Sequence, residues 1–228
     1  MTERVAIVTG GSGGIGAAVV AAFRAAGLRT VVVSRRATGP DSAPGDVSRE
    51  ADAVVAEVLR VYGRLDVLVN AAGVSEPAAW TADLEAVTPE LWDRVMRTDL
   101  WGTFACSRAA ARAMREGGAI VNVGSIPGLV GDRDGLLYSV AKAGVIGLTK
   151  SLAVNLAPRV RVNCIAFGSI ATEWARWLDA DKTREYLEAI PLRRFGRPDE
   201  AAEAALLLAT NTYMTGQTLV LDGGETRV

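Results

Sequence analysis

The sequence predicts an α/β chain: a doubly wound parallel sheet covered by helices on both faces. Three observations predict it. Strand-like and helix-like segments alternate along the whole length. The strand segments are short, continuous, β-branched runs, which is how strands buried on both faces read. No linker, internal repeat or low-complexity tract divides the 228 residues. A chain of that length suits one domain, 1–228, with a sizeable core.

The elements follow in order. RVAIVT (4–9) is a strand that ends at glycines. GIGAAVVAAFRAAG (14–27) is alanine-rich and helical, and it closes on Gly27, a residue suited to a helix C-terminus. RTVVVS (29–34) is the second strand. SREADAVVAEVLRVYG (48–63) reads as a helix with Ser48 as N-cap, acids in the first turn and Gly63 at its end. LDVLVN (65–70) is a buried strand. Residues 88–117 start on Thr88 and Pro89, an N-cap and a proline at the first helical position. GAIVNV (118–123) is a strand, and residues 138–157 form a helix stopped by Pro158. RVRVNCI (159–165), PDEAAEAALLLAT (198–210) and TLVLDGG (218–224) are strand, helix and strand. The pattern is Rossmann-like. Between Ser34 and Ser48, two prolines and two glycines break a stretch too short for a crossover helix and another strand. That unit is expected to be shortened to a loop, with at most a stub of strand near Asp46 and Val47.

Composition narrows the chemistry. Half the residues are hydrophobic and the net charge is −1. That gives no basic footprint for nucleic acid and no disordered chain. No run of 18 apolar residues suggests a membrane span. Cys106 and Cys164 sit in apolar contexts and read as core thiols of a reducing compartment. MTERVAIVTG enters a strand at once, so no signal peptide is expected, and the chain is expected to be cytoplasmic. There is no histidine. That excludes a Ser-His-Asp hydrolase and enzymes with a histidine base or ligand. Proton transfer falls to Tyr, Lys, Asp or Glu.

Two stretches carry chemistry. VTGGSGGIG (8–16) lies between the first strand and the first helix, with glycines at 10, 14 and 16. Glycines let a backbone approach a pyrophosphate, and a helix N-terminus offers free N–H groups to it. YSVAK places Tyr138 and Lys142 four apart, on one face of a helix. An ammonium ~4 Å from a phenolate gains roughly 4 kcal/mol at an effective dielectric near 20, enough to lower a phenol by up to ~3 pKa units. Such a phenol works as a general acid or base. Tyr-x-x-x-Lys also occurs by chance on many helices, so the neighbouring motifs must decide.

Those motifs resemble the short-chain dehydrogenases/reductases over nearly the whole chain. TGGSGGIG is similar to that family's cofactor loop, NAAG (70–73) to its mid-sheet motif, and VNVGS (121–125) ends in what resembles its catalytic serine. The serine-to-tyrosine separation, 138 − 125 = 13, fits. RFGRPDEAAEAALLLAT and TGQTLVLDGG resemble the family's C-terminal part. The resemblance implies hydride transfer between NADP(H) or NAD(H) and a ketone or secondary alcohol, as in a 3-oxoacyl-carrier-protein reductase. Tyr138 would exchange the proton on the substrate oxygen, Ser125 would hold that oxygen, and Lys142 would tune Tyr138 and bind the nicotinamide ribose. It further implies cofactor contacts at Gly10, Ser12, Gly14, Ile15, Gly16, Ser34, Arg35, Arg36, Asp46, Val47, Asn70, Ala71, Gly73, Gly168, Ile170 and Thr172, besides Tyr138 and Lys142. No metal is implied.

Two positions depart from the family pattern. Asp99 stands where the family has a catalytic asparagine tied to a helix kink. Asp accepts hydrogen bonds but cannot donate unless protonated. It either keeps the kink by accepting alone or, if the family's asparagine donates, must be protonated or let the kink relax; an ionised Asp99 near Lys142 would also pull on that ammonium and weaken its hold on Tyr138. Phe167 stands where a Pro-Gly pair is usual, with Gly168 and Thr172 kept; it is expected to reshape the nicotinamide pocket wall. Residues 167–197 should cover the site with Phe167, Trp174, Trp177, Tyr186 and Phe195. These rings either pack on one another or face an apolar or cyclic substrate. Ser34, Arg35 and Arg36 after the second strand favour NADP(H), because no carboxylate is there to repel a 2′-phosphate. The 138–157 helix is apolar nearly all round, so a homo-oligomer is expected, and the resemblance implies that this helix and the 88–115 helix pair with their copies in a homotetramer. The alternative to an enzyme is a dinucleotide-binding redox sensor without turnover.

Overall fold

The computed structural model describes residues 3–74, 80 and 83–227, with the backbone alone at Trp177. One seven-stranded sheet, parallel throughout, runs in the order β3-β2-β1-β4-β5-β6-β7. Its strands are β1 (Val5–Thr9), β2 (Arg29–Ser34), β3 (Ser42–Pro44), β4 (Val67–Asn70), β5 (Gly118–Ser125), β6 (Val160–Phe167) and β7 (Thr218–Leu221). Every residue of β1 and β4 is buried, as β-branched runs without polar alternation require. One face is covered by α2 (Val47–Tyr62), α4 (Gly102–Ala113) and α6 (Leu136–Leu156). The other is covered by α1 (Gly14–Ala25) and α8 (Pro198–Thr210). Phe23 of α1 is fully buried there among Val19, Val20 and the alanines of α8.

The expected loop after the second strand is corrected in one respect. The crossover helix is missing, but a strand remains. Residues 35–41 turn back directly, and Ser42, Ala43 and Pro44 pair in parallel with Val32, Val33 and Ser34. Three residues suffice because β3 is an edge strand, where Pro44 needs no partner on its open side. The strand therefore lies before Asp46 and Val47, not on them. Asp46, not Ser48, caps α2: its carboxylate accepts from Ser48 N at 3.0 Å and Ser48 Oγ at 2.7 Å.

The long helix expected over 88–117 is three pieces. Thr88 caps α3 (Pro89–Val95), as its sequence predicts. A π-helical stretch, Met96–Trp101, joins it to α4. The segment 167–197 carries a 3-10 turn (Glu173–Trp177) and α7 (Ala180–Ala189), and between β5 and α6 lies the short α5 (Pro127–Val130). Among the described residues, α6 alone is long and apolar enough to cross a membrane. It packs along β5 and β6, yet Val154 is 82% exposed, and Val140 and Leu136 on the same helix are exposed too.

Candidate active site

The strand order turns at β1. From it the chain runs outward to β2 and β3, then returns to β4 on the other side. Such a reversal opens a crevice at the carboxyl ends of β1 and β4, where ligands of open α/β sheets bind. Thr9 closes the base of that crevice. Its Oγ1 accepts from both Ala71 N and Ala72 N at 3.1 Å, clasping the ends of β1 and β4 together.

The glycine loop lies on this edge. Gly10 has φ +68°, and a Cβ there would stand 2.7 Å from the Ala71 carbonyl oxygen. A Cβ on Gly16 would overlap the Gly10 carbonyl. Gly14 faces Thr172, with a hypothetical Cβ 3.5 Å from the threonine side chain. The loop 10–16, the NAAG turn and the segment after β6 therefore meet. The N-terminus of α1 receives no side-chain cap from Gly13 and has no acid in its first turn. Its N–H groups are left for an anion. A bare helix start behind a cradle that side chains would fill fits a dinucleotide pyrophosphate.

At the end of β2, Ser34 Oγ is buried without a hydrogen-bond partner among the described residues, while Arg35 and Arg36 are exposed. Asp46 lies near them. Its carboxyl is held below the usual range first by the Ser48 hydroxyl, against the opposing effect of burial, with Arg35 a smaller contributor.

The proton-transfer groups converge one strand further along. Ser125 ends β5, and its Oγ donates to the Phe167 carbonyl at 3.2 Å. Lys142, on α6, is buried and donates to the Val123 carbonyl of β5 at 3.1 Å. Its Nζ is 5.4 Å from the centre of the Tyr138 ring. Tyr138 is partly exposed and stacks at 4.4 Å on Trp80. Sequence reasoning did not single out Trp80 or Thr9. Trp80 lies in a stretch without periodicity, and Thr9 carries no signal beyond its place before the glycines.

Asp99 is the innermost member. It lies in the π-helical stretch and is fully buried. Oδ1 accepts from Val74 N at 2.7 Å, and Oδ2 is 3.5 Å from Lys142 Nζ. The Asp99 backbone carbonyl accepts from Thr103 Oγ1 at 2.7 Å. The side chain thus accepts from Val74 on one oxygen and faces the lysine with the other, within the π-helical stretch. Burial works to lower the Lys142 ammonium, but the facing Asp99, helped by Tyr138 and Cys164, leaves it raised. Burial pushes the Cys164 thiol up to about 11.

Asn70 also turns inward. Its Nδ2 donates to Asn122 Oδ1 at 2.8 Å and Ser107 Oγ at 3.0 Å, and Asn122 Nδ2 passes the chain on to Thr149 Oγ1 at 2.9 Å. Its side chain braces β4 against β5, so only its backbone is open to a ligand. Phe167 needs a correction: its ring is in the core with Ile165, Ile170 and α8, not on a pocket wall. Trp174, Tyr186 and Phe195 pack edge-on against one another at 5.6–6.4 Å, and Trp174 Nε1 donates to the Ile170 carbonyl at 2.6 Å. The side chain of Trp177 lies outside the described residues.

A family model described as enoyl-(acyl carrier protein) reductase matches residues 10–226. The chain is a short-chain dehydrogenase/reductase. It is 42% identical to a putative ketoacyl reductase of the granaticin polyketide synthase of Streptomyces violaceoruber, over 96% of this chain and 95% of that protein. It is 36% identical to a 3-oxoacyl-[acyl-carrier-protein] reductase of a Synechocystis strain, over 98% and 97%. The aldohexose dehydrogenase of Thermoplasma acidophilum, solved without ligand, superposes with a TM-score of 0.91 at 29% identity, over 99% of this chain and 95% of that one. As a member of the short-chain dehydrogenase/reductase family, the protein is an NAD(P)-dependent oxidoreductase acting between ketones and secondary alcohols.

Proposed function

We propose that the protein reduces a 3-oxoacyl thioester or a related ketone with NADP(H), with Tyr138 as the general acid, Ser125 as the substrate-oxygen donor and Lys142 as their support. The observation that carries this reading is the convergence of α6 on β5. Lys142 is bonded to the strand that ends in Ser125, and its charge lies 5.4 Å from the Tyr138 ring. Relatives named for ketoacyl and 3-oxoacyl reduction support the substrate class.

The nicotinamide, when bound, supplies or takes the hydride. Gly10, Ser12, Gly14, Ile15 and Gly16 would hold the pyrophosphate. Ser34, Arg35 and Arg36 would hold the 2′-phosphate, with Asp46 and Val47 beside the adenine. Asn70, Ala71, Gly73, Gly168, Ile170 and Thr172 would line the rest. Arginine forks suit a phosphate dianion better than free ribose hydroxyls, which supports NADP(H) over NAD(H).

The chain's own groups divide the remaining work. Ser125 Oγ, which donates to the Phe167 carbonyl, turns that donor to the substrate oxygen. Tyr138 gives its proton to the same oxygen in reduction and takes it back in oxidation. An ammonium has three donors; Val123 and Asp99 engage two directions of Lys142, leaving one for a ribose hydroxyl. Trp80 shields the tyrosine from water on one side. Residues 167–197 cover the site, held at their base by the bridge between Ile170 and Gly196. The apolar outer side of α6 supports a homotetramer, and two buried free thiols support a reducing, cytoplasmic setting.

The test is NADPH oxidation with a 3-oxoacyl thioester and with cyclic ketones, for the wild type and Tyr138→Phe. Turnover by the wild type, with at least ~10²-fold loss in Tyr138→Phe, is expected. Tight cofactor binding without turnover on any carbonyl would refute the reading and favour a redox-sensing protein.

A further inference from the structure

We propose that Asp99 is a positioning residue: its carboxylate is the counter-ion that keeps Lys142 charged in a buried place, and so sets how far into alkali the site works. The inference rests on the reading of Lys142 as a member of the site. It does not follow from family membership, because the family places an asparagine here.

Two donors specify the acid. Val74 N–H points at Oδ1 from one side, at 2.7 Å. The Lys142 ammonium faces Oδ2 from the other, at 3.5 Å. A carboxylate accepts on both oxygens, whereas an amide has one accepting and one donating end. In Asp99→Asn, either orientation of the amide sets a donor against a donor. If its oxygen keeps Val74, its NH2 meets the ammonium; if it flips, its NH2 meets the Val74 N–H.

Among the described residues, nothing else near Oδ2 takes the place of the lysine. Oδ2 has no hydrogen-bond partner among the described residues, and Asp99 is fully buried. Gly73 lies beside the same oxygen; a Cβ added there would stand 3.4 Å from it. An orphaned carboxylate oxygen shut away from solvent is costly, and a facing cation is what offsets it. The lysine has the matching need. Only 4% of it is exposed, and Val123 offers a neutral carbonyl. The titratable groups that face it are Tyr138 on its own helix, Cys164 on β6 and Asp99 on the π-helical stretch. Of these three groups, Asp99 alone is a carboxylate, the group whose charge opposes that of the ammonium.

The chain has three lysines, and Lys150 and Lys182 are exposed. Isotope labelling at lysine Cε therefore gives three NMR signals, and Lys142→Arg assigns the buried one. The wild-type Lys142 signal should titrate above the ordinary lysine value of 10.5. In Asp99→Asn the midpoint should fall by at least about one pH unit, because burial is then unopposed. The alkaline limb of kcat/KM should move down with it, while plateau kcat changes less than about tenfold. A purely structural role would lower the melting temperature without moving either midpoint. A wild-type midpoint below 10.5, or a shift under about 0.3 pH unit in Asp99→Asn, would overturn the proposal. Should Asp99→Asn fail to fold, the wild-type titration alone decides. Should Tyr138→Phe stay active, the catalytic reading falls but the lysine titration still stands as the test of the pair.

Discussion

Replacing Arg35 by aspartate should turn the cofactor preference round. Arg35 is exposed at the end of β2, beside the buried Ser34 hydroxyl and near Asp46. A guanidinium and a phosphate ~4 Å apart attract by roughly 1–4 kcal/mol, depending on the local dielectric. Exposure and salt put this site at the low end, about 1 kcal/mol. Aspartate removes that attraction and adds a repulsion of similar size, so the total is about 2 kcal/mol, or about 30-fold. A carboxylate also accepts from the free ribose hydroxyls of NAD, which widens the change. The assay is kcat/KM with NADPH and with NADH at fixed ketone and low salt. The NADPH-to-NADH ratio of the wild type should exceed one and fall at least about 30-fold in Arg35→Asp. A ratio that moves less than about threefold would show that Arg35 does not meet the 2′-phosphate.

The other expectations concern the scaffold and the assembly. Phe23→Ala empties a fully buried ring site on α1 and should cost about 3–5 kcal/mol, lowering Tm by about 10 °C in a thermal melt. Light scattering at micromolar concentration should give a tetramer mass, and Val154→Arg, on the exposed side of α6, should lower it; a monomeric wild type ends that idea. Lys142 carries a raised folded value, so its contribution to stability is fully present below 10.5 and is lost as pH rises through that higher value. The wild-type Tm should therefore drop more steeply above pH 10.5 than that of Asp99→Asn, which equal slopes would contradict.

Much of the sheet was legible because its strands are buried on both faces and so lack polar interruption. β2 and α8 lie on the residues expected of them, Arg29–Ser34 and Pro198–Thr210. β3 was not legible: Ser-Ala-Pro has no β-branched residue, and pairing with β2 alone makes it a strand. α7 hid for a related reason, since it buries no residue and shows no apolar stripe. The Tyr-Lys spacing, the serine and the glycine loop could be read from local motifs. For Asp99, the nearness to Lys142 was expected from the resemblance, but the bond from Val74 was not. Its partners Val74 and Lys142 lie 25 and 43 positions away (99 − 74 and 142 − 99), brought together by tertiary packing.

The π-helical stretch has a consequence for how this chain tolerates change. A single π turn is an α-helix carrying one extra residue, and the helix resumes its course beyond it. The buried sides of α3 (Leu91, Val95) and α4 (Ala105, Cys106, Ala109, Ala110) can therefore stay in place whether or not that residue is present. Deleting one residue within 96–101 would draw the backbone tight and carry Asp99 off Lys142, while the packing of both flanking helices survives. Folding and proton handling are thus written into the same helix by different means, one by side-chain identity and the other by chain length.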